Sequence, residues 1–209
     1  KINLKLSKKV FTPNLTTDCL IEAISNKKFK RKLKILDLGC GSGVVGIFIK
    51  KHFKNKADVF MSDYSLDAVK LSKENIKLNK IKAKVIKSNV LTEWKDEKFD
   101  IIVDDISAIN SKIASKIWYN KSIPHKCGED GIKLSLEVIK NSKNYLNKNG
   151  KLIIPCISIS NHKKLIKELK KNFKSVKLVV NKEWPAPKVL LSKFKKLLKD
   201  KDDYIYFKY

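Results

Sequence analysis

A chain of 209 residues is long enough for one α/β domain with a sizeable core, since domains commonly hold about 100–200 residues. Its formal charge of +26 would ordinarily point to nucleic acid or an anionic surface. However, Arg31 is the only arginine among 47 basic residues and lysine runs through nearly every segment, which fits an AT-biased coding sequence and a solvated surface better than a phosphate-binding patch.

Other classes are excluded on similar grounds. The apolar runs Gly43 to Ile49 and Leu152 to Ile159 fall short of the ~20 residues of a membrane-spanning helix, and no basic-then-apolar leader opens the chain. Cys19, Cys40, Cys127 and Cys156 lack the paired spacing of a zinc site or disulfide framework, so a cytoplasmic protein with reduced thiols, no membrane and no metal is expected. The first residue is Lys1 rather than Met, which is consistent with a trimmed N-terminal segment.

From Leu33 onward, β-rich runs alternate with helical patterns, the signature of βαβ units and a mostly parallel sheet. Strands are predicted at Lys34–Leu38, Asp58–Ser62, Lys84–Lys87, Asp100–Asp104, Lys151–Cys156, Ser175–Val180 and Tyr204–Phe207. Ile132, Leu136, Ile139 and Leu146 recur at helical spacing, as do Leu165, Ile166, Leu169 and Phe173. Asn149-Gly150 is expected to end the helix before the fifth strand, and Ser160 or Asn161 to cap the next one. The aromatic-rich Tyr204–Phe207 suits a last strand that turns back beside the sixth.

The most informative stretch is Ile35-Leu36-Asp37-Leu38-Gly39-Cys40-Gly41-Ser42-Gly43, an apolar strand running through an acid into alternating glycines. In an open α/β sheet such a turn sits at the carboxyl edge, where glycines let the backbone approach a ligand. Gly41, Gly43 and Gly46 also satisfy G-x-G-x-x-G, so a dehydrogenase is a rival. Charge separates the two, because Asp37 would repel a pyrophosphate yet attract a sulfonium and an ammonium. Asp63, ending the second strand, can accept both ribose hydroxyls of either ligand.

These residues resemble the class I S-adenosylmethionine-dependent methyltransferases, over about Phe11 to Cys156. The resemblance implies a Rossmann-like fold with a seven-stranded, mostly parallel sheet, helices on both faces and a reversed C-terminal strand. It also implies a single domain, 1–209, whose segment 1–32 borders the cofactor site and whose core is 33–209. By position, Asp37, Gly39, Cys40, Gly41 and Gly43 would surround the methionine portion of S-adenosylmethionine. Asp63 would hold the ribose, Tyr64 would lie on the adenine, Asn89 and Val90 would meet its edge, and Asp104 would complete the site.

After the fourth strand, Asp105-Ile106-Ser107-Ala108 takes the place of the Asn-Pro-Pro-Tyr motif of amide and amine nitrogen methyltransferases, making Asp105 the catalytic candidate by positioning. Both prolines and the aromatic residue are replaced, and the form is closer to the Asn-Ile-Leu-Ala type of ribosomal-protein lysine methyltransferases. Phe11-Thr12-Pro13-Asn14-Leu15-Thr16-Thr17 resembles the segment that crosses the cofactor site in both families. The long loop from Ile109 to Asp130 reads as a lid, with Phe11, Trp118, Tyr119 and His125 as substrate-binding candidates.

Methyl transfer to nitrogen of a small amine or a protein side chain is therefore expected, release-factor glutamine and ribosomal-protein methyltransferases being the branch resembled. RNA methylation in the translation machinery and a cofactor-binding protein that has lost catalysis are the rivals.

Overall fold

The computed structural model describes residues 1–111, 113–114, 127–185 and 204–208. Trp118, Tyr119 and His125 lie outside the described residues. Five strands, β1 (Leu33–Leu38), β2 (Ala57–Asp63), β3 (Lys84–Lys87), β4 (Phe99–Asp104) and β5 (Leu146–Ile153), form a parallel sheet in the order β3-β2-β1-β4-β5. Around it lie α1 (Leu15–Ser25), α2 (Val44–Phe53), α3 (Leu66–Leu78), α4 (Lys133–Asn141) and α5 (His162–Asn172).

Strands covered on both faces must be apolar throughout, and β4 is buried at all six positions. Alternation then divides the core. Ile35 of β1 and Val59 and Met61 of β2 pack with Leu20, Ile24, Ile47 and Ile49 of α1 and α2. Leu36 and Leu38 pack instead with Phe60, Trp94, Phe99 and Val138. Trp94, Phe60 and Phe99 meet edge to face at 5.4–5.8 Å between centroids, and the Trp94 indole N–H donates to Ser62 Oγ at 3.1 Å.

The expectation of one seven-stranded sheet with a reversed last strand needs correction. A second, antiparallel sheet pairs β6 (Cys156–Ile157), β8 (Tyr204–Lys208) and β7 (Asn181–Pro185) in the order β6-β8-β7, separate from the parallel five. The break falls at Ile154-Pro155, where proline brings no N–H to a ladder. Ser175–Val180 is not a strand; Val176, Leu178 and Val179 are exposed there, and β7 forms just beyond, where Asn181–Pro185 finds β8 as a partner. Asn149 does not end a helix either, since α4 stops at Asn141 and Asn149 takes its positive φ of 64° within β5, where the register against β4 shifts. Asn161 does cap α5, accepting from Lys164 N–H at 3.2 Å.

At the end of the sheet remote from the glycine turn, Asp100 joins three elements. It accepts from Arg31 at 2.7 and 3.3 Å, from Lys34 N–H at 2.8 Å and from Asn147 at 3.0 Å. Burial alone would raise its pKa, but these donors hold it below the usual carboxylate range.

Trp94→Ala removes a buried aromatic from this core and is expected to cost about 3–5 kcal/mol of stability, read as a lower urea midpoint with an unchanged slope. An unchanged midpoint would contradict the packing described.

Candidate active site

The strand order reverses between β1 and β4, and an open α/β sheet offers its crevice at such a point. Here the turn after β1 and the loop after β4 are pressed together. Asp105 N–H donates to Leu38 O at 2.8 Å, and a Cβ on Gly39 would lie 2.8 Å from Ile106 N and 2.9 Å from its Cα. Gly39 also has φ +77°, so the residue is glycine for two independent reasons. On the other side, Gly39 and Cys40 N–H groups both donate to Ser62 O at 2.9 Å, binding the turn to β2.

The cleft so formed has a volume of about 740 Å³. Among the sequence candidates, Phe11, Gly39, Cys40, Gly41, Asp63, Tyr64, Asn89, Val90 and Asp105 line it. A Cβ on Gly41 would meet no atom closer than 3.9 Å, so the turn is open toward the cleft. Asp63 accepts from Gly41 N–H at 2.9 Å and Ser65 N–H at 2.8 Å, one bond to each oxygen, leaving lone pairs on both. Burial raises its pKa, against the pull of those N–H donors.

Asp37, Gly43 and Asp104 do not line the cleft. The pleat turns Asp37 toward α2, whose N-cap is Gly43 and has no side chain to cap with. Asp37 supplies the missing cap from the strand, its Oδ2 accepting from Gly46 N–H at 2.8 Å, while Oδ1 has no partner among the described residues. Gly46 is the third glycine of the fingerprint for a packing reason: a Cβ there would lie 2.8 Å from Met61 Sδ. Asp104 accepts from Ile106 N–H at 3.0 Å through Oδ1, and its Oδ2 is likewise unpartnered among the described residues.

Three carboxyls therefore titrate unusually high. Burial and then the nearby Asp105 charge push Asp37 up to about 8, and burial pushes Asp104 to about 7. Asp105 rises to about 7 through burial, opposed by the Thr17 hydroxyl and helped by the Asp104 and Asp63 charges.

Sequence reasoning missed several residues here. Asn75 and Asn79, one turn apart on α3, hold the extended N-terminal segment as a strand would: Asn75 accepts from Lys5 N–H at 2.7 Å and donates to Lys5 O at 3.1 Å, and Asn79 does the same for Asn3 at 3.1 and 2.6 Å. Asn75 also donates to Ser42 O at 2.9 Å, tying that segment to the glycine turn. The signal was available, since Ala68, Leu71, Asn75 and Asn79 share one helical face on which two amides interrupt an apolar stripe. Beyond β4, Cys127 Sγ donates to Ser107 O at 3.0 Å, and Gly131 has no room for a Cβ against Asn110 N at 2.6 Å, so the Gly128–Gly131 turn backs the Asp105 loop. Lys133, Leu134, Glu137, Pro155 and Ile157 complete the wall. No group of three or more His, Cys, Asp or Glu that could hold a metal occurs among the described residues, and no described helix is long and apolar enough to cross a membrane.

A five-stranded parallel sheet with a nucleoside-sized cleft at its switch point, an acid after β2 and a polar loop after β4 is the layout of a Rossmann-like methyltransferase. The family model described as methyltransferase small domain matches residues 7–105. The release factor glutamine methyltransferase of Borreliella burgdorferi is 33% identical over 205 residues, covering 91% of this chain and 68% of that protein. That of Streptococcus pneumoniae is 31% identical over 160 residues, covering 73% of this chain and 56% of that protein. Ribosomal protein L11 methylase from Lactobacillus delbrueckii subsp. bulgaricus superposes with a TM-score of 0.60 at 19% identity, over 98% of this chain and 83% of its own. The chain belongs to this family of S-adenosylmethionine-dependent methyltransferases, and spans a little over half to two thirds of the length of the release factor relatives.

The raised carboxyls have a measurable consequence. A carboxyl whose folded pKa exceeds its unfolded value of about 3.9 keeps a proton on folding, so stability falls as pH rises from about 4 through the folded pKa. Asp37→Asn removes one such group, and its melting temperature relative to the parent is expected to climb steadily between pH 5 and pH 8 and then level off. A pH-independent difference would show that Asp37 is ionised throughout.

Proposed function

We propose that this chain transfers a methyl group from S-adenosylmethionine to a nitrogen of a protein side chain. The observation that carries the reading is Asp105, whose carboxylate borders the cleft at the switch point, against the glycine turn and across from Asp63. Bound S-adenosylmethionine supplies a methyl group already activated on a sulfonium, so the protein's task is alignment and exclusion of water.

Each part of the wall has a role in this reading. Asp63 accepts the ribose hydroxyls, Tyr64 and Val90 flank the adenine, Asn89 meets its edge, and the open face of the Gly39-Cys40-Gly41 turn takes the methionine portion. Asp37, Asp104 and Gly43 act from behind, Asp37 by capping α2 and Asp104 by shaping the loop through Ile106 N–H. Together the carboxyls favour a cationic donor. Asp105 accepts an N–H of the acceptor and, having a pKa near neutrality, can take its proton as transfer proceeds. Phe11, Pro13, Pro155 and Ile157 keep water from the reacting atoms.

The relatives' names support a protein acceptor in the translation machinery over a small amine or RNA, and with it a cytoplasmic setting. Residues 1–32 and 33–209 are read as one domain, the former bordering the cofactor.

Calorimetric titration with S-adenosylhomocysteine is expected to show one site whose affinity falls by 10-fold or more in Asp63→Ala, on the order of two lost hydrogen bonds, with no comparable binding of NAD. Incubation with radiolabelled S-adenosylmethionine and purified release factor or ribosomal proteins should then label a protein band, about 100-fold more slowly with Asp105→Ala. Tight cofactor binding without labelling of any protein would favour a cofactor-binding protein that has lost catalysis; preference for NAD would overturn the reading.

A further inference from the structure

Thr17 lies in the first turn of α1, is 4% exposed, and uses its hydroxyl twice. It accepts weakly from Asn14 N–H at 3.5 Å, within the capping box that begins the helix, and it donates to Asp105 Oδ2 at 3.0 Å across 88 residues of sequence. With Asp105 ionised the direction is fixed, because a carboxylate only accepts and the Thr17 hydroxyl supplies the proton. Asn14 Oδ1 supplies the other half of the capping box, receiving Thr16 and Thr17 N–H at 2.9 and 3.4 Å.

Asp105 is thereby held at two points, through its N–H on Leu38 O and through Oδ2 on α1. We infer that Thr17 is a positioning residue, which fixes the Asp105 carboxylate in one rotamer with Oδ2 committed to α1 and Oδ1 turned to the acceptor nitrogen. The inference rests on the role proposed above for Asp105 and adds a specificity. In the ionised form an oxygen presented this way accepts and does not donate, so the acceptor nitrogen must bring an N–H of its own. It also explains why the segment before α1 is part of the site, since α1 delivers the hydroxyl from across the sheet edge.

The charges around Asp105 bear on any titration. Asp104 adjoins it on β4, Asp63 ends β2, Asp37 lies on β1 and Asp18 sits in the first turn of α1. Lys9, Lys133 and Glu137 line the same cleft.

The test is a carboxyl-carbon NMR titration of the ligand-free protein labelled at aspartate, with Asp105→Asn identifying the Asp105 signal. Losing a donor to the ionised form should raise the Asp105 midpoint by about half a unit or more in Thr17→Val, and Thr17→Ser should restore it. Should Thr17→Val not fold, Thr17→Ala serves, with the same expectation. In turnover, kcat should fall about tenfold while S-adenosylhomocysteine affinity stays within about twofold. An unmoved midpoint in the valine or alanine variant, or a serine variant no better than valine, overturns the inference. If the parent methylates no protein, the proposed function fails, and the titration still decides whether Thr17 sets the state of Asp105.

Discussion

The contact between the turn after β1 and the loop after β4 is the constraint on which the site depends. Two backbones approach so closely at Gly39 and Ile106 that a single methyl would separate them, and the Asp105 N–H on Leu38 O closes the gap. One strand edge thus carries both the open glycine turn and the polar group proposed to meet the acceptor. Each neighbouring interaction serves the same junction: Ser62 O receives the turn from β2, Asp37 caps the helix leaving it, and the Gly128–Gly131 turn backs the loop.

Charge is distributed against the average of the chain. The protein carries 21 acidic against 47 basic residues, yet Asp37, Asp63, Asp104 and Asp105 gather at one end of the sheet while lysines cover the surface. A buried carboxylate without a full set of partners costs more than an exposed one, so Asp37, Asp104 and Asp105 hold protons up to neutral pH when nothing cationic is near. Such a cluster weakens the fold locally and suits it to a positively charged ligand, and this kind of local cost concentrates at functional sites.

What could be read in advance followed from how local the signal was. The first four strands fell where predicted because β1, β2 and β4 are apolar runs largely buried on both faces, which leaves little choice of register, and the short edge strand β3 sets Val85 and Ile86 between lysines beside β2. Asp63 and Asp105 were legible as polar residues ending such strands at an edge known to bind ligands. Asp37 was legible as special, but which face it joined depended on the pleat, and the structure places it behind the turn as a helix cap. Beyond β5 the pattern held for α5 with its Asn161 cap and for the strand at Tyr204–Phe207, but failed between them. Ser175–Val180 alternates well enough for a strand, yet a strand exists only against a partner, and β8 offers its ladder to Asn181–Pro185. Asn75 and the bond from Thr17 to Asp105 escaped notice because each acts on a segment about 70 or 88 residues distant, and no periodicity reports that.

The most direct test of the account is a crystal structure of the full chain with S-adenosylhomocysteine. The account predicts ribose hydroxyls on both oxygens of Asp63, adenine beside Tyr64 and Val90, and the sulfur directed at the Asp105 loop, with Thr17 still bonded to Oδ2. A ligand bound elsewhere, or lying in the cleft with Asp63 untouched, would contradict it.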